Sequence, residues 1–211
     1  EIVEICESWG IPVVEDAAES LGSLVKGTHT GLFGKIGVLS FNGNKTITTG
    51  GGGMLISNDE ELGERLKHLT TTAKVPHKWE FFHDELGYNF RMPNINAALG
   101  CAQLERLDEI LREKREIAEA YKDYFNNKES IYFFSEREGT VSNYWLNSVI
   151  LTGREERELF LEETNGAGVM TRPIWTLMYR LPMYSQCFRE ETPNAEWFED
   201  RVVNIPSGVR W

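Results

Sequence analysis

Lys45 stands in the stretch Ser40-Phe41-Asn42-Gly43-Asn44-Lys45-Thr46-Ile47-Thr48-Thr49, and four consecutive glycines follow, Gly50 to Gly53. Asp16 closes an apolar run, Ile11-Pro12-Val13-Val14-Glu15, 29 positions before Lys45. A lysine amine on such a loop can condense with an aldehyde to a Schiff base. A carboxylate at the end of a buried strand can pair with a protonated ring nitrogen and keep that ring an electron sink. These are two groups that a pyridoxal phosphate enzyme needs. Each also has an ordinary reading. A lysine near glycines is commonly solvated, and an aspartate after a strand commonly caps the next helix, here one starting at Ala17-Ala18-Glu19-Ser20-Leu21.

The elements that must position these groups alternate. Residues Ile2–Trp9 read as a helix with Gly10 as its C-cap, followed by a strand over Ile11–Val14. Gly37–Phe41 and Met54–Ser57 read as short buried strands, and Asn58 as the cap of a helix to about Thr70. Short apolar runs joined by helices favour a mainly parallel sheet with both faces covered. Thr71–Asp84 has no period and carries Trp79, Phe81 and Phe82, as a lid or a packed surface loop does. From Asn94, after Pro93, one long helix is expected, with Ile95, Ala98, Leu99, Ala102, Leu107, Ile110, Leu111, Ala118 and Tyr121 largely on one face. It would span about 40 Å. Gly100 inside it costs about 1 kcal/mol against Ala and implies close packing there. Arg154–Glu163 reads as an amphipathic helix between strands Trp145–Leu151 and Val169–Arg172.

Four separated motifs carry a resemblance. Val14-Glu15-Asp16-Ala17-Ala18-Glu19-Ser20-Leu21-Gly22-Ser23, the Ser40–Lys45 stretch, the glycine run, and Gly87-Tyr88-Asn89-Phe90-Arg91-Met92 occur in the order found in the DegT/DnrJ/EryC1/StrS family. The similarity continues through Asn96–Gly100 and Gln103-Leu104-Glu105 to Thr171-Arg172-Pro173, nearly the whole chain. Within the family, Thr48–Gly53 and Thr71-Thr72-Ala73-Lys74 look most like the branch that aminates UDP-4-keto-6-deoxy sugars for bacillosamine and legionaminic acid. Many relatives have Glu where this chain has Gly51, which reads as a subfamily mark.

The resemblance implies an α/β fold like the type I pyridoxal phosphate transferases: part of a parallel or mixed sheet of the large domain, plus a small α/β C-terminal domain. Residues 1–92 would be the C-terminal part of the large cofactor-binding domain, 93–125 the connecting helix, and 126–211 the small domain. Lys45 and Asp16 would be catalytic. Lys45 would hold the cofactor and then move a proton between the substrate carbon and the cofactor C4′. Its pKa would have to be lowered for that, by burial beside a cationic ring. Glu19, one helical turn after Asp16, would lie on the same face, near ring or substrate. Ser40 would donate its hydroxyl to the cofactor phosphate, or serve as a strand-end serine bonded to backbone. Asn42 and Asn44 would shape the turn around Lys45. Asn89 matches the family asparagine that reaches across a dimer to the partner's cofactor phosphate, so a homodimer with shared sites is implied. Trp175 and Tyr179 would face the sugar nucleotide or pack in the core.

The implied activity is amino transfer, with glutamate as donor, to a keto-sugar nucleotide, at C4 of a UDP-4-keto-6-deoxy-N-acetylhexosamine. Two alternatives stand beside it. One is a pyridoxal phosphate-dependent sugar dehydratase of the same superfamily, in which histidine replaces the lysine. The other is a non-catalytic or regulatory fragment. The chain is expected to open inside a domain, because relatives carry a long preceding portion with a phosphate-gripping helix N-terminus and a ring-stacking aromatic. It is likewise expected to stop just before the family's last helix.

Bulk properties bound the rest. The 211 residues carry 22 Lys+Arg against 33 Asp+Glu, a net charge of −11, which speaks against a nucleic-acid surface. Hydrophobic content of 41% suits a packed core, and no run of 18 apolar residues offers a membrane span. Cys6, Cys101 and Cys187 are few, odd in number and unpaired in spacing, as in a cytoplasmic protein. His29, His68, His77 and His83 have no metal-ligand spacing with them, so no metal is expected. Gly34-Lys35 is followed by Ile36, which excludes a P-loop.

Overall fold

A computed structural model describes residues 1–209. In chain order the elements are α1 (Ile2–Ser8), β1 (Val14–Asp16), β2 (Leu24–Val25), β3 (Thr28–His29), β4 (Ile36–Ser40), β5 (Gly53–Ile56), α2 (Glu60–Thr70), α3 (Asn94–Leu104), α4 (Leu107–Phe125), β6 (Ile131–Phe133), β7 (Thr140–Val141), β8 (Asn147–Leu151), α5 (Arg154–Gly166), β9 (Arg172–Pro173), α6 (Pro193–Glu199) and β10 (Val202–Ile205). They form two compact units, one of residues 1–111 and 137–143, the other of 112–136 and from Tyr144 onward.

In the first unit the sheet order is β1-β4-β5, parallel between β1 and β4 and antiparallel between β4 and β5. The sheet is therefore mixed, as the motif resemblance implied. The first strand begins at Val14 rather than Ile11. Pro12 has no N–H to give a ladder, although Val13 O still accepts from Lys35 N at 2.8 Å. A second small sheet, β3-β2-β7, brings residues 140–141 back to Leu24–Val25. Helix α2 is capped by Asp59, whose carboxylate accepts from Leu62 N at 3.0 Å, one residue later than the expected Asn58. The single long helix expected from Asn94 is two helices, α3 and α4, with the break at Glu105–Arg106. Thus 93–125 is not one continuous rod. The contact division falls at Leu111, and α3 belongs wholly to the first unit.

The second unit has an antiparallel sheet, β6-β8-β10-β9. Val149, Leu151, Val203 and Ile205 alternate inward from its two central strands and pack with Tyr121, Phe125, Ile131, Phe133, Phe160 and Leu161. Each such aliphatic residue contributes about 1.5–3 kcal/mol on burial. Helix α5 follows β8 as expected, but the strand after it is only Arg172–Pro173, and the central β10 was not foreseen. Among the described residues, no helix is long and apolar enough to cross a membrane.

Candidate active site

Asp16 is the last residue of β1 and pairs in register with Val38 of β4; Ser40, two residues further, ends β4. Side chains two apart share a face, so Asp16 and Ser40 lie on the same face at the C-terminal end of the parallel pair β1–β4. Ligands of open α/β sheets bind outside that end. Each of the two also has a local partner. Asp16 Oδ1 accepts the N–H of Ala18 at 3.1 Å, an Asx-turn. Ser40 Oγ accepts the N–H of Asn42 at 3.4 Å.

The segment after Asp16 is a series of turns, not a helix. The expected helical reason for Glu19 sharing a face with Asp16 is therefore wrong. The turns nonetheless carry Glu19 toward the loop. Its Oε1 lies 2.9 Å from Lys45 Nζ, with the Lys45 side chain 13% exposed and that of Glu19 50% exposed. Lys45 N–H donates to Asn42 O at 3.1 Å, so residues 42–45 make the turn that the two asparagines suggested.

The loop is held from three sides. Phe41 N donates to Gly52 O at 2.9 Å, and Phe41 O accepts from Thr49 N at 3.0 Å. Gly50 and Gly52 have φ of +80° and +88°, values that favour glycine. Thr46, Ile47 and Thr49 are buried and anchor the stretch next to the lysine. One face of α3 completes the support. Asn96 Nδ2 donates to Thr49 O, and Gln103 Oε1 accepts from Thr48 N at 2.8 Å. Between them, a Cβ on Gly100 would stand 2.9 Å from Thr49 Cγ2. The expected close packing at Gly100 is thus against the lysine loop.

Two residues were missed in the sequence. Glu15 points to the opposite face from Asp16 and accepts the N–H groups of Gly31, Phe33 and Gly34 at 2.8, 2.7 and 2.7 Å. Its only signal was its place beside Asp16 in an alternating strand. Asn143 bonds both the Glu19 turn and Thr46. Nothing local in the sequence announces it.

Asn89 lies elsewhere in this unit. It is exposed, and its backbone bridges to Thr71 just after α2. Among the described residues, no hydrogen bond joins it to Lys45, Asp16, Glu19 or Ser40. Trp175, in the second unit, is 65% exposed and stacks on Trp145 with ring centroids 6.3 Å apart, so it is not a core residue. One trio of possible metal ligands occurs among the described residues: His68, Asp84 and Glu85. It is an ion-pair cluster in which the Arg65 guanidinium is bidentate on Glu85. His68 Nε2 and Asp84 Oδ1, 2.7 Å apart, hydrogen-bond to each other. The His68 contact and the positive field hold the Asp84 carboxyl below the usual carboxylate range.

The amine held against a carboxylate, with a second carboxylate and a hydroxyl at the C-terminal end of the β1–β4 pair, is a donor set that an aldehyde cofactor could use. The family comparison agrees. The DegT/DnrJ/EryC1/StrS aminotransferase family matches residues 1–210, and the chain belongs to that family. Aminotransferases of this family depend on pyridoxal phosphate. The chain is 40% identical to GDP-perosamine synthase of Escherichia coli O157:H7, over 98% of its own length and 56% of the relative's. It is 30% identical to UDP-4-amino-4,6-dideoxy-N-acetyl-beta-L-altrosamine transaminase of Campylobacter jejuni (strain 81-176), over 98% and 56% of the two chains. The aminotransferase TlmJ from Streptoalloteichus hindustanus superposes with a TM-score of 0.89 at 30% identity, over 98% of this chain and 56% of that one. The chain thus spans about half the length of the relatives it matches.

Proposed function

We propose that this chain carries the lysine half of a pyridoxal phosphate-dependent aminotransferase that moves an amino group, from glutamate, to the C4 ketone of a nucleotide-linked sugar. The observation that carries the reading is the Lys45 amine, held 2.9 Å from a carboxylate next to the Asp16–Ser40 sheet edge, in a chain of this family. The donor set fits the cofactor chemically: a primary amine for its aldehyde, a carboxylate for its ring nitrogen, a hydroxyl for its phosphate. When bound, the cofactor supplies an electrophilic carbon and a ring that stabilises negative charge.

The chain's own residues then have distinct tasks. Lys45 Nζ would hold the cofactor and, once displaced by a substrate amine, would move a proton between the substrate carbon and the cofactor C4′. Asp16 keeps a positive charge on the ring nitrogen. Glu19 orients Nζ before displacement. Ser40 donates to a phosphate oxygen, and Asn89 reaches the phosphate of a second copy in a two-fold dimer. Residues 1–92 are read as part of the cofactor-binding domain and 126–211 as the small domain. Lysine rather than histidine at position 45 favours amination over dehydration.

For the nucleotide, the motif resemblance favours a UDP-linked sugar. A GDP-linked sugar is the second reading, because the relative at 40% identity is named for one. The test is borohydride reduction of the holoenzyme followed by peptide mapping, with amination assays on both nucleotide classes. The cofactor should be fixed on Lys45. A label on Lys35 or Lys74 overturns the site.

A further inference from the structure

The turn that carries Glu19, residues 17–23, has neither helix nor strand hydrogen bonds to fix it. Turn bonds within it and bonds to His29 and Thr30 hold its far end, and Asn143 ties it to the segment around Lys45. Asn143 is buried, 5% exposed. Its Nδ2 faces Glu19 O at 2.9 Å, Leu21 O at 3.0 Å and Thr46 Oγ1 at 3.2 Å. Its main-chain N–H donates to Ser23 Oγ at 3.1 Å. The pairing of β7 with β2 delivers it there, 97 positions from Thr46.

We propose that Asn143 is a positioning residue for the lysine site: it ties the Glu19 turn to the Lys45 loop and so sets the Lys45–Glu19 ion pair. Thr46 is the immediate neighbour of Lys45, and the carbonyl that Asn143 grips is that of Glu19 itself. One amide therefore spans the two backbones from which the ion pair is built. The residue type follows from chemistry. An amide NH2 offers two protons to carbonyl and hydroxyl oxygens. Aspartate would set an acceptor against two carbonyls, and leucine would leave them without this donor. Glu19 is half exposed, so without this tether its carboxylate would be drawn to water rather than held on Nζ. Asn143 acts through Glu19 and is not itself assigned a contact with substrate.

The catalytic meaning of this geometry rests on the reading of Lys45 given above. The geometry is tested without cofactor, so the two can fail separately. In the intact protein stripped of cofactor, lysines are labelled competitively with trace acetic anhydride. The labelling of Lys45 is measured against exposed Lys35 and Lys78 in the same digest. Asn143→Ala should raise relative Lys45 labelling about fivefold, the effect of one hydrogen bond of ordinary worth. Glu19→Gln should do the same, and the double variant should add nothing further. Thr46→Val, which keeps the shape and removes one arm of the tether, should give a smaller rise in the same direction. It carries the test alone if Asn143→Ala fails to fold. Unchanged labelling in a folded Asn143→Ala or Thr46→Val protein, or effects that add to that of Glu19→Gln, overturn the proposal. A borohydride label away from Lys45 would refute the cofactor reading and leave this result standing.

Discussion

Glu19 Oε1 and Lys45 Nζ stand 2.9 Å apart across 26 residues of sequence, and neither residue lies on a helix or strand. A pair with one partner half exposed adds little to folding, at most about 1 kcal/mol. Glu19→Gln should therefore leave thermal unfolding within a few degrees of the wild type while changing, on the proposed reading, the rate of cofactor capture at Lys45. A large loss of stability, read by calorimetry, would make the pair a folding element instead.

Asp16→Asn separates charge from shape. The amide oxygen can still accept the Ala18 N–H, so the Asx-turn should survive. On the proposed reading, what is lost is the negative charge that would face the ring nitrogen. Cofactor absorbance should persist, and turnover should fall by orders of magnitude. Near-normal turnover would place this carboxylate away from the ring.

Much of this site could be read in the sequence, and the reasons for the rest are physical. Asp16, Ser40 and Lys45 sit in contiguous motifs bounded by apolar strands, so pattern alone locates them. Glu19 lies beside Lys45, but not through the helical spacing expected of it. A run of Ala-Ala-Glu suggests a helix, but the Asp16 side chain captures the Ala18 N–H and starts a turn. The break between α3 and α4 was hidden because Leu104, Leu107, Ile110 and Leu111 continue an apolar pattern across Glu105–Arg106. The strand β10 leaves little signal because Val202–Ile205 is four residues long, with Asn204 inside it and Pro206 after it. Asn143 was illegible for a different reason: its role depends on a strand pairing more than a hundred residues distant, which leaves no local period.

The proposed dimer can be tested by complementation. Among the described residues, Asn89 is exposed and has no bond to the lysine site of its own chain, as a residue serving a second copy would. Inactive Lys45→Ala protein mixed with weakly active Asn89→Ala protein, under subunit exchange, should gather both lesions in one site of each heterodimer. The other site would be intact, and activity should exceed that of either parent. No recovery in proven heterodimers would put Asn89 outside the shared site.

Gly100→Ala tests the packing of α3 on the lysine loop. In an exposed helix this change stabilises by about 0.5–1 kcal/mol. Here the new Cβ would stand 2.9 Å from Thr49 Cγ2, and Thr49 is buried. Overpacking of this kind costs about 1–3 kcal/mol. The single variant should lower the denaturation midpoint. Adding Thr49→Ser removes the clashing methyl and should restore it. Equal destabilisation in both backgrounds would exclude Thr49 as the contact.

Lys114 gives the second unit a signature in its alkaline stability. Its side chain is buried, and Nζ donates to Ser207 O at 3.0 Å and Trp145 O at 3.4 Å. Desolvation of the ammonium pushes its pKa below the usual lysine range. The unfolded chain therefore binds more protons than the folded one between the lowered folded value and the ordinary one. Stability contributed through this group must rise with pH across that window. Below it, the cost of burying the charge is fully present. Lys114→Met removes the titration but leaves two carbonyls without their donor. At neutral pH these effects oppose each other, so the midpoint there decides nothing. The pH slope does. Tyr121, one helical stretch further on, donates to Pro206 O, and burial raises its pKa. Its contribution falls with pH, but it is common to both proteins and cancels in the difference. Urea unfolding of wild type and variant should show wild-type stability gaining on the Met variant as pH rises through the alkaline range. A constant difference would mean that the ammonium is as well solvated folded as unfolded.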